Sequence, residues 1–203
     1  LRQDPQIYVE FKDIAFGYKY PNGNAVGEQI VGRGGFVLNH LTSLDPQNGS
    51  GKTGPSWTVG AQAVEVELDT RDYTYRIIRA TTVMDVGKVI DPHATECMIR
   101  GGMSMGLSLA SREAYFYDSR CVNHTTSLRS YKVMHIGQEP EYLVEFVETP
   151  QEDSPYGCRV FSEHGIIGMP AALGNAMALA ANTAINQLPI TPESIWRSCT
   201  TCN

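Results

Sequence analysis

The 203-residue sequence predicts an α+β fold, with antiparallel and mixed strands packed by helices. Three observations carry this. Residues 57–69 alternate, with Ala63, Glu65 and Glu67 on one face and Val64, Val66 and Leu68 on the other. An Asp69-Thr70-Arg71-Asp72 turn follows, then residues 73–83, rich in Tyr, Ile, Thr and Val. That is a hairpin with one buried and one solvated face. Beyond Pro92, Met98, Met103, Leu107 and Ala110 fall at helical spacing, and residues 169–186 are Ala-rich with Pro170 near the start. Proline is tolerated in a first turn because its missing N–H would have no partner there, so a helix is predicted over 168–186.

The other elements follow in order. Ile7-Tyr8-Val9-Glu10-Phe11 reads as a strand or edge segment, and Pro21-Asn22-Gly23-Asn24 as a turn. Residues 25–39 read as a strand region interrupted by Gly27, Gly32, Gly34 and Gly35. Residues 45–55 form a loop whose Gly51-Lys52-Thr53 is not a phosphate-binding loop. The glycine needed five positions before Gly51 is Pro46, and no apolar strand leads in. Gly101, Gly102 and Gly106 lower helix propensity after Pro92, a cost that makes sense where something approaches the backbone closely. Residues 115–117 and 141–148 read as strands, residues 151–162 as a polar crossing, and Thr191-Pro192-Glu193 as the start of a last short turn.

Composition narrows the function classes. A hydrophobic fraction of 42%, a charged fraction of 19% and a net charge of −6 are those of an ordinary acidic globular protein. A negative surface attracts neither nucleic acid nor an acidic membrane. No uninterrupted apolar run approaches the roughly 20 residues of a membrane span. The odd number of cysteines (Cys97, Cys121, Cys158, Cys199, Cys202) suits free thiols in a reducing cytoplasm. Cys199-x-x-Cys202 has the spacing of a redox pair or half a zinc site but lacks a second pair of ligands. Residues 198–203 are therefore expected to be an exposed tail, and no protein-held metal is expected. The chain opens on Leu1 inside a polar stretch, as expected for part of a longer protein.

Four segments in series carry a resemblance. Gly60-Ala61-Gln62-Ala63-Val64-Glu65-Val66-Glu67-Leu68-Asp69 is similar to "FGAQAVEVEVD", and Met84-Asp85-Val86-Gly87-Lys88-Val89-Ile90-Asp91-Pro92 to "HDVGRAINP". Arg100-Gly101-Gly102-Met103-Ser104-Met105-Gly106-Leu107 is similar to "EGGVVQGL". Tyr156 to Glu163, with the Ala-rich helix and Leu188-Pro189-Ile190-Thr191-Pro192, resembles "GAKGVGE…PAAIANAI…LPITP". These patterns resemble the molybdenum-cofactor-binding subunit of the xanthine dehydrogenase/aldehyde oxidase family, over about residues 60–197. The resemblance implies that residues 1–197 are the C-terminal part of a molybdopterin-binding domain.

It further implies an oxidoreductase in which a molybdopterin-held molybdenum hydroxylates a carbon of a heterocycle or aldehyde, with water as the oxygen source. The glutamate of the "GVGE" motif falls on Glu163, the implied general base, and Gly101, Arg159, Val160, Phe161 and Ser162 on implied cofactor contacts. A carboxylate on a tight loop beside an apolar helix can lose enough water to act as a base. The other reading of Glu163 is a helix cap. This sequence departs from the pattern at the cofactor-contacting Gly-Gln, here Cys97-Met98, since Met98 has no amide to donate. It departs again at Ser162 and at His164, which tunes Glu163, coordinates a ligand or is an exposed loop histidine, the last being the commoner case. The glycine-rich segments that hold the pterin, the iron–sulfur module and the flavin domain are expected elsewhere, on the remainder of the molybdenum subunit and on partner domains or subunits. The chain alone is expected to bind no molybdopterin. The competing reading is a non-catalytic structural or interaction domain that keeps the fold without the cofactor.

Overall fold

In the computed structural model, which describes residues 6–200, the alternation in residues 57–83 becomes an antiparallel hairpin. The chain divides into two compact units, Leu1–Val37 and Leu38–Asn203. In the second, β3 (Gly60–Leu68) pairs antiparallel with β4 (Tyr75–Asp85), and the register shifts between Glu65 and Val66. β5 (Glu141–Val147) joins the other edge of β4 in parallel, so the sheet is mixed, in the order β3-β4-β5. On the solvated face Arg79 of the central strand reaches Glu141 (2.9 Å) and Glu65 (3.7 Å), one carboxylate on each flanking strand.

The inner face carries Gln62, Val64, Val66, Ala80, Thr82 and Met84. It is covered by two long helices, α2 (Pro92–Ser111) and α5 (Met169–Ala181). Asp91 caps α2 by accepting from the Ala94 N–H at 3.0 Å, with Pro92 behind it in the first turn. Ile99, Met103 and Leu107 of α2 and Met169, Leu173 and Met177 of α5 are fully buried. By length and composition alone, residues 164–181 could cross a membrane; one stripe of α5 is buried against the core, and most of the segment is not buried.

Between the two helices lies a single turn, α4 (His164–Ile167). It approaches the backbone of α2 where both partners are glycine. A Cβ on Gly165 would lie 2.5 Å from the Ile99 carbonyl, and one on Gly106 would lie 2.7 Å from the Ile166 carbonyl. The glycines that weaken α2 as a helix thus admit the turn to its surface.

Other elements differ from the sequence-based expectations, each for a local reason. In the first unit, residues 7–10 are irregular and the chain turns into a short helix, α1 (Phe11–Phe16), instead of a strand at residues 7–11. Phe11 and Ile14 stand three apart with Asp13 in the first turn, and Gly17 (φ 81°) ends the helix. Of residues 25–39 only β2 (Ala25–Val26) pairs, with β1 (Tyr18–Lys19) across the expected turn; Gly27 (φ 90°) bends the chain away. At residues 115–117 only an isolated Tyr117–Asn123 bridge forms, because Asp118 closes a tight turn by accepting from the N–H groups of Arg120 and Val122. The short helix α3 (Leu128–Tyr131) was not anticipated; Ser127 and Ser130 cap it reciprocally.

The helix predicted to reach residue 186 stops at Ala181, where Asn182 takes a left-handed conformation (φ 48°). The short turn expected at Pro192 is a nine-residue helix, α6 (Pro192–Thr200), with Ile195 fully buried. Cys199 lies within it, half-buried against the core, 3.9 Å from the Ala181 carbonyl. The exposed tail expected from residue 198 is corrected to that extent; Cys202 lies outside the described residues.

The glycine contacts predict opposite effects at two positions. Gly165→Ala should destabilise the chain by about 1–3 kcal/mol through overpacking. Gly101→Ala, with nothing within 4 Å of the added methyl, should stabilise it by about 1 kcal/mol through helix propensity. Urea unfolding midpoints at unchanged slope check both, and equal shifts would contradict the close approach.

Candidate functional site

The segment between β5 and α5 carries the candidate residues, and three groups of contacts hold it in place. Upstream, Asp85 at the end of β4 accepts from the Gly87 N–H (2.9 Å) and the Thr149 N–H (3.2 Å) and from the Thr149 hydroxyl. Arg159 completes this clasp, with its Nε 3.6 Å from Asp85, Nη1 donating to the Trp57 carbonyl at 2.8 Å and Nη2 donating to Thr149. Both charged side chains are more than four-fifths buried. Partial burial works against the Asp85 charge. The Thr149 hydroxyl, the two N–H donors and the Arg159 cation outweigh it and hold the carboxyl below its ordinary range. Next, the Thr58 hydroxyl donates to the Val160 carbonyl at 2.5 Å. Downstream, the Gln62 amide nitrogen donates to the Gly165 carbonyl at 3.0 Å.

Between these anchors Val160 to Glu163 is presented outward. Val160 is 65% exposed, Ser162 and Glu163 are exposed, and Phe161 tucks partly against the core. The backbone N–H groups of Val160, Phe161, Ser162 and Glu163 find no acceptor among the described residues. Four consecutive main-chain donors are thus left unpaired on an exposed stretch, available to a group rich in oxygen acceptors. Glu163 occupies the N-cap position of α4, where its charge faces the helix dipole, but it supplies no side-chain capping bond. The burial expected around Glu163 is likewise not supplied by this chain. The His164 ring is half-buried, with Nδ1 enclosed and unpartnered, so it is not an exposed loop histidine.

Gly101 lies on the exposed face of α2 with open space over its backbone, and Met98, one turn earlier, is half exposed. Cys97 is exposed too, its Sγ 3.9 Å from the His93 ring. The positions that the resemblance assigns to cofactor contact on α2 therefore share one open face, while Gly102 and Gly106 face the α4 turn. Arg159 stands apart from the other candidates, because its guanidinium is spent on the clasp. Among the described residues no cluster of three or more His, Cys, Asp and Glu side chains could hold a metal ion.

The family model described as "Molybdopterin cofactor-binding domain" matches residues 3–140. The chain belongs to that family. The match begins well upstream of residue 60, where the motif resemblance started, and it ends before the Glu163 segment. The nicotine 6-hydroxylase large subunit of Paenarthrobacter nicotinovorans is 31% identical over 147 residues, 71% of this chain and 18% of that protein. The xanthine dehydrogenase molybdenum-binding subunit of Escherichia coli O157:H7 is 32% identical over 138 residues, 68% of this chain and 18% of that protein. Among solved structures, the aldehyde oxidoreductase of Desulfovibrio gigas superposes with a TM-score of 0.72 at 26% identity, over 79% of this chain and 17% of that one. This molybdopterin cofactor-binding domain thus spans under a fifth of the length of relatives that are themselves oxidoreductases.

The clasp and the Gln62 tether escaped sequence reading. Asp85-Val86-Gly87 has the form of a turn closed by an Asp side chain on the N–H two residues on, and this much was readable. Thr149 and Arg159, which complete it, arrive from distant sequence.

The clasp predicts a pH dependence of its own. Because the folded state lowers the Asp85 pKa, its contribution to stability is full above the ordinary carboxylate range, near pH 4. It is lost as pH falls through the lower folded value. Asp85→Asn should therefore be markedly less stable than wild type at pH 7, with the gap closing below about pH 4. Denaturant unfolding of both proteins from pH 7 to pH 2.5 checks this, and a gap independent of pH would contradict it.

Proposed function

We propose that this chain is the part of a molybdenum hydroxylase of the xanthine dehydrogenase/aldehyde oxidase type that carries its catalytic base, Glu163. The complete enzyme oxidises a heterocycle or an aldehyde with water as the source of oxygen. The observation that carries the reading is the pairing of a solvent-facing, unpartnered carboxylate with four consecutive free N–H donors, on a loop anchored at both ends.

The residues present fit the cofactor in kind, since the exposed stretch Val160–Glu163 offers unpaired N–H donors to an oxygen-rich ligand. The backbone N–H groups of Val160, Phe161 and Ser162, with the Ser162 hydroxyl, would hold it from one side. Gly101, bare of any side chain, would let it approach α2. When bound, the cofactor supplies the oxygen that water replenishes and takes up the two electrons of the oxidation. Glu163 would accept, on a carboxylate oxygen, the proton of the attacking hydroxyl as the new carbon–oxygen bond forms and the substrate's carbon–hydrogen bond breaks. The electron pair of that broken bond is the two electrons taken up, and Glu163 would return the proton to solvent afterwards. Among the described residues Glu163 makes no ion pair, which leaves the carboxylate available for that proton. Arg159 contributes by fixing the loop, not by touching the ligand.

The remainder of the molybdenum subunit supplies the other wall of the site, and flavin and iron–sulfur domains or subunits carry the electrons away. The four described cysteines are all free thiols, which supports a reducing, cytoplasmic setting. One observation favours the alternative of a non-catalytic domain. Met98 stands where the family pattern places an amide donor, and a thioether cannot replace it.

Turnover of the complete enzyme separates the two. Glu163→Gln keeps size and hydrogen bonding but removes the proton acceptor. General-base catalysis contributes about 10²–10⁴-fold, so kcat at equal molybdenum content should fall by about that factor, with little change in melting temperature. A variant keeping more than a tenth of wild-type turnover removes Glu163 from the role.

A further inference from the structure

The loop that carries Glu163 is gripped on its downstream side by one buried amide, that of Gln62 on β3. Its nitrogen lies 3.0 Å from the Gly165 carbonyl and 3.0 Å from the Thr82 hydroxyl oxygen. The Gly165 carbonyl can only accept, which fixes the amide with its nitrogen toward the loop. Gln62 and Thr82 face each other in the β3–β4 register, and Thr82 is fully buried. The grip therefore originates in the interior of the sheet, two residues from Glu163 along the chain.

This arrangement is costly for the fold. The Gln62 Oε1 is enclosed and has no hydrogen-bond partner, and an orphaned buried acceptor is unfavourable. Gly168 is bound up with the same contact, since a Cβ there would lie 2.2 Å from that oxygen. An apolar side chain of Gln62's length would fill the space without the orphan. What it would not do is hold the Gly165 carbonyl, and through it the turn from which Glu163 projects.

We propose that Gln62 is a positioning residue for Glu163, setting the reach of its carboxylate through the Gly165 carbonyl. The inference rests on the catalytic reading of Glu163. It assigns Gln62 no contact with substrate or cofactor. A displacement of about 1 Å in a reacting group can cost on the order of 10²-fold in rate, so losing the grip should reduce turnover more than it alters binding or stability.

The test uses the complete enzyme with Gln62→Met, which keeps the side chain's length, compared with Glu163→Gln and with the double variant. The expected result is at least a tenfold fall in kcat per molybdenum for Gln62→Met. Substrate KM should stay within about threefold, with molybdenum content and melting temperature near wild type. The double variant should be no slower than Glu163→Gln alone, because a misplaced base that has already been removed costs nothing more. Thr82→Val, which removes the second anchor of the amide, should show a smaller fall of the same kind, and it carries the test if Gln62→Met does not fold. A normal kcat per molybdenum in either folded variant, or a loss confined to stability and molybdenum content, overturns the proposal while leaving Glu163 its role. If Glu163→Gln itself retains more than a tenth of wild-type turnover, the base reading falls and this inference falls with it.

Discussion

The approach of one helical turn to another helix's backbone is the constraint on which the rest of this structure depends. Gly165 reaches the Ile99 carbonyl, and Gly106 receives Ile166, at separations that leave no room for a side chain. With that contact made, α5 follows in the same layer and buries Met169, Leu173 and Met177 against the sheet and α2. The loop before the turn is left at the surface, its course dictated by what the turn has already fixed. Dense interiors transmit such placements because packed groups cannot yield gradually.

The candidate site divides its work between side chains and backbone in an instructive way. The cation nearest the loop, Arg159, is consumed by Asp85, Thr149 and the Trp57 carbonyl. The donors left free belong to the main chain, and the one charge left free is the carboxylate of Glu163. The proposed site would on this arrangement recognise a ligand by the spacing of its acceptors more than by net charge. Main-chain donors held by a clasp do not have to be ordered when the ligand arrives, which lowers the entropic cost of binding.

Much of this architecture was legible in the sequence, and the exceptions share a physical cause. The β3–β4 hairpin and the core of α5 were readable because periodicity there reports burial directly. Glu163 and the loop around it were reached through motif resemblance alone; nothing in their local pattern distinguishes them. The failures fall where short apolar runs lack a period. Phe11 to Phe16 became helical, residues 27–39 stayed irregular, and residues 115–117 yielded to the turn closed by Asp118. Gln62 sat in plain view within an alternating strand, on its inward face. Its meaning depends on Gly165, a hundred residues away in sequence, and no local rule could supply that pairing.

Arg79 has a consequence of a different kind. A three-stranded sheet has two open sides, each a row of backbone groups able to add a foreign strand. Arg79, on the central strand, draws Glu65 of one edge strand and Glu141 of the other inward over the face of the sheet. At 43% exposure such ion pairs contribute about 0–1 kcal/mol each, too little to explain them as supports. Their effect is on company. A second copy sliding its β5 alongside β3 would bring carboxylates next to carboxylates, and like charges opposite one another disfavour that register. The arginine ties the three strands together across one face, and any repulsion of a fourth comes from the carboxylates it pairs with.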